Sequence, residues 1–133
     1  MIRTETIDVL TRYNIRPSEQ RIAVMKYLLA YRNHPSVDTI YEALHPTMPT
    51  LSRTTVYNVL HYFVDHGAVQ MLTIDEKNAR YDADVSVHAH FQCKICGRLY
   101  DLPQPRIEHP DSPRFVINDV QLYYRGICPK CNK

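Results

Sequence analysis

Ser52-Arg53-Thr54-Thr55-Val56-Tyr57-Asn58-Val59-Leu60-His61-Tyr62-Phe63-Val64-Asp65-His66-Gly67 is the stretch on which the fold turns. Val56, Leu60, Phe63 and Val64 recur at helical spacing and define a stripe that has to be buried. Ser52 is a good N-cap and Gly67 a good C-terminal stop, so the segment reads as a helix from Arg53 to about His66. Arg53, Thr54, Tyr57, Asn58 and His61 then point the other way. After Gly67 the apolar period changes from 3.6 to 2. Ala68 to Ile74 and Ala79 to Tyr81 read as two strands joined at Asp75-Glu76-Lys77-Asn78, a hairpin.

Upstream, Ile7 and Leu10 suggest a first helix. Ser18 caps a second, with Ile22, Met25, Leu28 and Leu29 on one face, and His34-Pro35 stops it. Ser36 caps a short third helix that turns Val37, Ile40, Tyr41 and Leu44 inward and ends at His45-Pro46. Helices followed by a two-stranded ribbon are the layout of a winged helix-turn-helix, in which the last helix enters the DNA major groove. The outward set Arg53, Thr54, Tyr57 and Asn58 suits that task, with guanidinium and hydroxyl for phosphates, Tyr and Asn for base edges. Residues 12 to 32 add Arg12, Arg16, Arg21, Lys26 and Arg32 against Glu19 alone, although a solvated helix face would read the same way.

Composition narrows the field. The chain has 133 residues, 44% hydrophobic and 23% charged, with 16 basic and 14 acidic side chains for a net charge of +2. That is a soluble, folded chain rather than a fibrous or disordered one, and the net charge alone does not mark a nucleic-acid binder. No apolar run approaches a membrane span, and the first residues lack a secretory core, so a cytoplasmic location is expected. Neither GxGxxG nor a Walker-type loop occurs, and only three glycines are present, which argues against nucleotide chemistry. There is no HExxH, and no Ser-His-Asp arrangement can be read, so an enzyme is not expected.

All four cysteines fall late, as Cys93-x-x-Cys96 and Cys128-x-x-Cys131. Such pairs hold tetrahedral zinc as two knuckles, and Gly97 fits the tight turn after the first. With four protein ligands and no open position the site is structural; a redox pair or two disulfides are the rival, though neither motif opens an evident helix. From about residue 85 the chain reads as short strands: His88 to Cys93, Arg98 to Leu102, Phe115 to Ile117 and Val120 to Tyr124. Pro103, Pro105, Pro110 and Pro113 oppose a long helix between the second and third. In a strand His88 and His90 share one face and Cys93 takes the other. If Cys93 stands opposite Arg98, His90 stands opposite Asp101, which brings a carboxylate to the imidazoles. An HxH of this kind is also compatible with two ordinary surface histidines.

Taken together, the SxxTVY motif (Ser52 to Tyr57), Arg80-Tyr81-Asp82, His88-x-His90-x-x-Cys93-x-x-Cys96-Gly97 and Cys128-x-x-Cys131 resemble the ferric uptake regulator (Fur) family, and within it the peroxide-responsive branch. The resemblance covers nearly the whole chain. It implies an α+β fold: a winged-helix DNA-binding domain at residues 1–84, then a small C-terminal α/β dimerisation and metal-binding domain at 85–133. It implies a homodimeric repressor that binds a pseudo-palindromic double-stranded DNA operator. It also implies a regulatory Fe(II) or Mn(II) site made by His34, Asp82, His88, His90 and Asp101, beside the structural zinc of Cys93, Cys96, Cys128 and Cys131. Three imidazoles and two carboxylates without a thiolate suit Fe(II) or Mn(II), and also accept Zn(II). Aspartate at position 82 is the choice of the peroxide sensors, where bound ferrous iron leads to oxidation of ligand histidines, here His34 and His88. The nearest alternative is an iron- or zinc-availability sensor of the same family. Two features depart from the family. Val120 replaces a histidine of a further metal site, and prolines occupy the segment where the family has a dimerisation helix. Cys128-Pro129 also resembles a haem-regulatory dipeptide, which leaves a haem- or thiol-based redox regulator as a further alternative.

Overall fold

The computed structural model describes residues 3–86, 88–104, 106, 114–117 and 120–133. The fold is α+β and divides into two compact units, Met1–Val85 and Ser86–Lys133. The first is a winged helix: α1 (Arg3–Arg12), α2 (Glu19–Tyr31), α3 (Val37–Leu44) and α4 (Arg53–Asp65), then the hairpin β1 (Gln70–Leu72) and β2 (Arg80–Asp82). The second holds β3 (Ala89–Cys93), β4 (Leu99–Leu102) and β5 (Tyr123–Gly126), in the order β4-β3-β5. No helix among the described residues is long and apolar enough to cross a membrane.

Three helices of the first unit start on serine. Ser18, Ser36 and Ser52 accept the amide protons of Arg21, Thr39 and Thr55 at 3.2, 3.2 and 3.0 Å, each satisfying a donor that the first helical turn would leave unpaired. Helix α4 ends in a Schellman arrangement. Gly67 takes φ +79°, the Ala68 amide donates to the Phe63 carbonyl, and the Gly67 amide donates to the Val64 carbonyl, both at 3.0 Å, a turn that glycine adopts without steric cost.

Helix α2 contacts α1, α3 and α4. It therefore buries Val24 and Tyr27 as well as Ile22, Met25 and Leu28, while Leu29 is only half-buried. In α4 the buried set is Val56, Val59, Leu60 and Phe63; Val64 is only partly covered. Ile40 from α3 and Tyr81 from β2 complete this core. Each fully covered large side chain contributes about 1.5–3 kcal/mol.

The hairpin is shorter than the alternation predicts, with Gln70 opposite Asp82 and Leu72 opposite Arg80. Asp75 caps the connection, its Oδ1 accepting the Lys77 amide at 2.9 Å, as Asx turns do. In the second unit, β3 and β4 pair antiparallel with His90 opposite Asp101, the predicted register. The last strand begins at Tyr123 rather than Val120 and runs parallel to β3, His90 opposite Tyr123 and Cys93 opposite Gly126. A parallel partner needs a long connection, which the chain between Leu102 and Tyr123 supplies.

The strand expected at Phe115 to Ile117 does not form. Those residues pair with none of the three strands of the sheet. Most of the proline-bearing stretch, Pro105, Pro110 and Pro113 included, lies outside the described residues.

Candidate metal centres and nucleic-acid face

The sheet register gathers the four cysteines. β3 ends at Cys93, and a turn closed by Gly97, φ +77°, brings the Arg98 carbonyl to the Cys93 amide at 3.0 Å. The amides of Ile95 and Cys96 point at Cys93 Sγ, at 3.4 and 3.5 Å. The parallel β5 delivers the second knuckle beside the first, where the Cys128 amide also faces Cys93 Sγ, at 3.4 Å. All four sulfurs lie within 4.8 Å of one another, and Cys96 Sγ is 3.8 Å from Cys128 Sγ. A tetrahedron with Zn–S bonds of about 2.3 Å has edges of about 3.8 Å, so the donor set fits zinc.

The thiols respond to this crowding. Amide donation from Cys96, joined by the amides of Cys128 and Ile95, outweighs burial and lowers Cys93 to about 6. Cys131 is pushed up to about 12, first by its hydrogen bond with Cys128 and then by burial. One thiolate forms readily and the last resists; a divalent cation removes that resistance. Cys128 is fully buried in this cluster.

A second donor set lies on the same sheet of the C-terminal unit. Asp101 Oδ1 is 3.1 Å from His88 Nε2 and 3.4 Å from His90 Nε2. His88 Nδ1–H donates to the Ser86 carbonyl at 2.7 Å. That bond fixes the tautomer, and in a neutral ring it turns the Nε2 lone pair toward the carboxylate oxygen. Two acceptors so close call for a cation between them or a proton on the ring.

The N-terminal unit holds the other pair. His34 follows α2 in the left-handed region, φ 51°, close behind Arg32 at φ 45°. Strand β2 is stitched to this loop. Arg80 Nη1 donates to the His34 carbonyl at 2.8 Å and the Tyr81 amide to the Pro35 carbonyl at 3.0 Å. His34 Nε2 lies 3.5 Å from Asp82 Oδ2, and the two side chains are only 6% exposed. Asp82 Oδ1 accepts the Asp84 amide at 2.9 Å. The structure thus pairs His34 with Asp82 in one unit and His88 and His90 with Asp101 in the other.

Of the residues expected to meet DNA, Arg16, Arg21 and Asn58 share one groove of about 470 Å³, with Thr55 and Tyr62 also in its wall. Arg21 donates to the Arg16 carbonyl at 2.9 Å and stacks over the Tyr62 ring at 4.1 Å. Thr54 is exposed on α4. Tyr57, half exposed, lies against His61 with ring planes tilted by 33° and centroids 4.1 Å apart. It lines a separate recess with Asp38, Lys77 and Tyr81. Arg53 is turned toward α3: it pairs with Asp38 at 2.9 Å and covers the Tyr41 ring at 4.2 Å. Sequence reasoning missed Arg80 as the clamp on the His34 loop, and missed the contact of His61 with Tyr81, whose hydroxyl lies 3.0 Å from His61 Nε2. Arg80 and Tyr81 stand in the Arg80-Tyr81-Asp82 motif, but that motif does not state what they touch; both contacts depend on how β2 packs against the loop after α2 and against α4.

The model of the ferric uptake regulator family matches residues 12–125. A peroxide-responsive repressor, PerR, from Staphylococcus epidermidis is 32% identical over 134 residues, covering 97% of this chain and 89% of that protein. The solved PerR of Streptococcus pyogenes is 30% identical over 97% of this chain and 92% of that one, with a TM-score of 0.54. The Helicobacter pylori ferric uptake regulator shares the fold, with a TM-score of 0.71 at 16% identity over 100% of this chain and 95% of that one.

Proposed function

The chain is a member of the ferric uptake regulator family, and on that footing we propose that it is a metal-dependent, DNA-binding transcriptional repressor that responds to peroxide. Residues 1–84 are the DNA-binding domain and residues 85–133 the dimerisation and metal-binding domain of a cytoplasmic homodimer. Cys93, Cys96, Cys128 and Cys131 hold a structural zinc. His34 and Asp82 from the first domain, with His88, His90 and Asp101 from the second, serve one regulatory Fe(II) or Mn(II) ion. Arg16, Arg21, Arg53, Thr54, Tyr57 and Asn58 meet a pseudo-palindromic operator, for which Arg53 exchanges Asp38 for phosphate.

The observation that carries this reading is the pairing of imidazole with carboxylate in both units: His34 beside Asp82, and His88 and His90 beside Asp101. Oxygen and nitrogen donors without sulfur suit Fe(II) and Mn(II). Because donors come from both domains, occupancy would favour one domain arrangement by its differential affinity for that arrangement. Peroxide is chosen over metal availability because of Asp82 and because relatives at 30–33% identity are named peroxide-responsive repressors. A ferrous ion would supply one-electron chemistry toward hydrogen peroxide, with His34 and His88 as the side chains at risk.

The test is elemental analysis after anaerobic loading with Fe(II) or Mn(II), followed by peroxide. One zinc and one further metal per chain are expected, the second lost in His90→Ala. Peroxide should then add oxygen to peptides carrying His34 or His88 in the Fe(II) form and not in the Mn(II) form. A metal-loaded protein untouched by peroxide would make it an availability sensor. Zinc alone, with no second metal, would refute the regulatory site.

A further inference from the structure

Three consecutive residues of β2 face three different tasks. Arg80 holds the His34 carbonyl at 2.8 Å and Asp82 stands 3.5 Å from the His34 imidazole. Between them, the Tyr81 amide holds the Pro35 carbonyl at 3.0 Å. The Tyr81 side chain leaves on the opposite face of the strand, since neighbouring residues alternate. It is 1% exposed and ends 3.0 Å from His61 Nε2 on α4. One turn earlier on that helix, the tilted Tyr57 ring packs against the His61 ring. A continuous path therefore runs from the His34–Asp82 pair through one buried hydroxyl to the most exposed aromatic ring of α4.

We propose that the His61–Tyr81 hydrogen bond couples occupancy of the His34–Asp82 pair to the placement of Tyr57, making His61 and Tyr81 positioning residues for metal-dependent DNA recognition. The proposal rests on the metal-regulated DNA-binding reading above and names the route inside the N-terminal unit. The physical case is one of restricted freedom. Tyr57 is half exposed, and its ring lies against the His61 ring with centroids 4.1 Å apart. That ring is itself half-exposed, and its polar anchor is the Tyr81 hydroxyl. Tyr81 sits between the two residues that grip His34, so fixing Asp82 and His34 on an ion fixes the backbone from which the anchor springs. Fixing those groups before DNA arrives lowers the ordering that DNA binding must impose.

The test uses the full-length protein and a duplex selected from a random pool by the Mn(II)-loaded wild type. Affinity is measured with and without Mn(II) for the wild type, Tyr81→Phe, His61→Phe and the double variant. Tyr81→Phe removes one hydroxyl and keeps the ring in the core. His61→Phe keeps a ring for Tyr57 and removes the nitrogen. A net hydrogen bond corresponds to roughly a 3- to 10-fold effect. Each single variant should lose about that much of the Mn(II)-loaded affinity, leave metal-free affinity and Mn(II) binding unchanged, and add nothing in the double variant. Equal losses with and without Mn(II), or no loss, would overturn the coupling while leaving the metal-regulated reading intact. A wild type whose DNA affinity ignores Mn(II) would overturn both.

Discussion

Removal of one proposed zinc ligand, in Cys128→Ala, should unfold the C-terminal unit and leave the winged helix standing. The magnitude follows from how little else holds that unit. Its buried apolar residues, among those described, are Ala89, Cys93, Leu99 and Cys128, so half of them are candidate ligands and only Leu99 is a large aliphatic chain. The unit runs from Ser86 to Lys133; at the usual ~0.05–0.15 kcal/mol per residue, a piece of this size has about 2–7 kcal/mol of stability. A structural zinc in a small thiolate site contributes about 10–16 kcal/mol. The ion is worth more than the whole expected stability, so its loss cannot be absorbed. Hydrogen exchange on the full chain reads this directly. Peptides covering 89–102 and 123–126 should lose at least about 100-fold in protection, the equivalent of roughly 2.8 kcal/mol at 1.4 per decade. Peptides from α2 and α4, which belong to the separate core around Met25, Leu60 and Phe63, should keep theirs. Zinc content should fall from one per chain to none. If the sheet peptides stay protected to within tenfold in the zinc-free variant, the sulfurs do not hold the unit together and the structural assignment is wrong.

Three further outcomes are expected. Arg32 caps α2 at φ 45° with its side chain exposed, so Arg32→Gly should raise stability by about 0.5–1 kcal/mol, read as a higher urea midpoint at constant slope. Burial would raise the Asp75 carboxyl, but the Lys77 amide, the Arg80 guanidinium and the Asn78 amide together hold it below its ordinary value of 3.8. Its stabilisation of the hairpin is therefore present above that value and lost as pH falls through the lower folded value; Asp75→Asn should flatten this acid limb in urea midpoints measured against pH. Arg16→Ala should weaken DNA binding evenly across sequences and reduce the slope of log affinity against log salt by about one, the signature of a lost phosphate contact, with an unchanged melting temperature.

The first unit was readable because its signals are local. Serines at 18, 36 and 52 and Gly67 mark helix ends whatever the tertiary context, and the stripe Val56, Leu60 and Phe63 repeats within one helix. The register that sets His90 against Asp101 was also accessible, because the Cys93–Gly97 turn fixes it over a few residues. What failed was non-local. Nothing in Val120 to Gly126 states that its partner is β3, or that the two run parallel, and alternation at Phe115 to Ile117 cannot report that these residues find no partner in the sheet. The contacts of Arg53 were hidden for the same reason: its partners Asp38 and Tyr41 lie on another helix, and no spacing in the sequence links them to it. His34 stood out only through the family resemblance, since a single histidine before a proline carries no spacing to a partner.

The most direct test of the account is the affinity of the selected duplex for the zinc-loaded protein with and without Mn(II), in the wild type and in His34→Ala. Metal should tighten binding by about 5- to 150-fold, the usual range of coupling between two sites. His34→Ala should bind like the metal-free wild type under both conditions, with its zinc retained. Equal affinity of the wild type with and without Mn(II) would contradict the claim that a metal at these residues controls DNA binding.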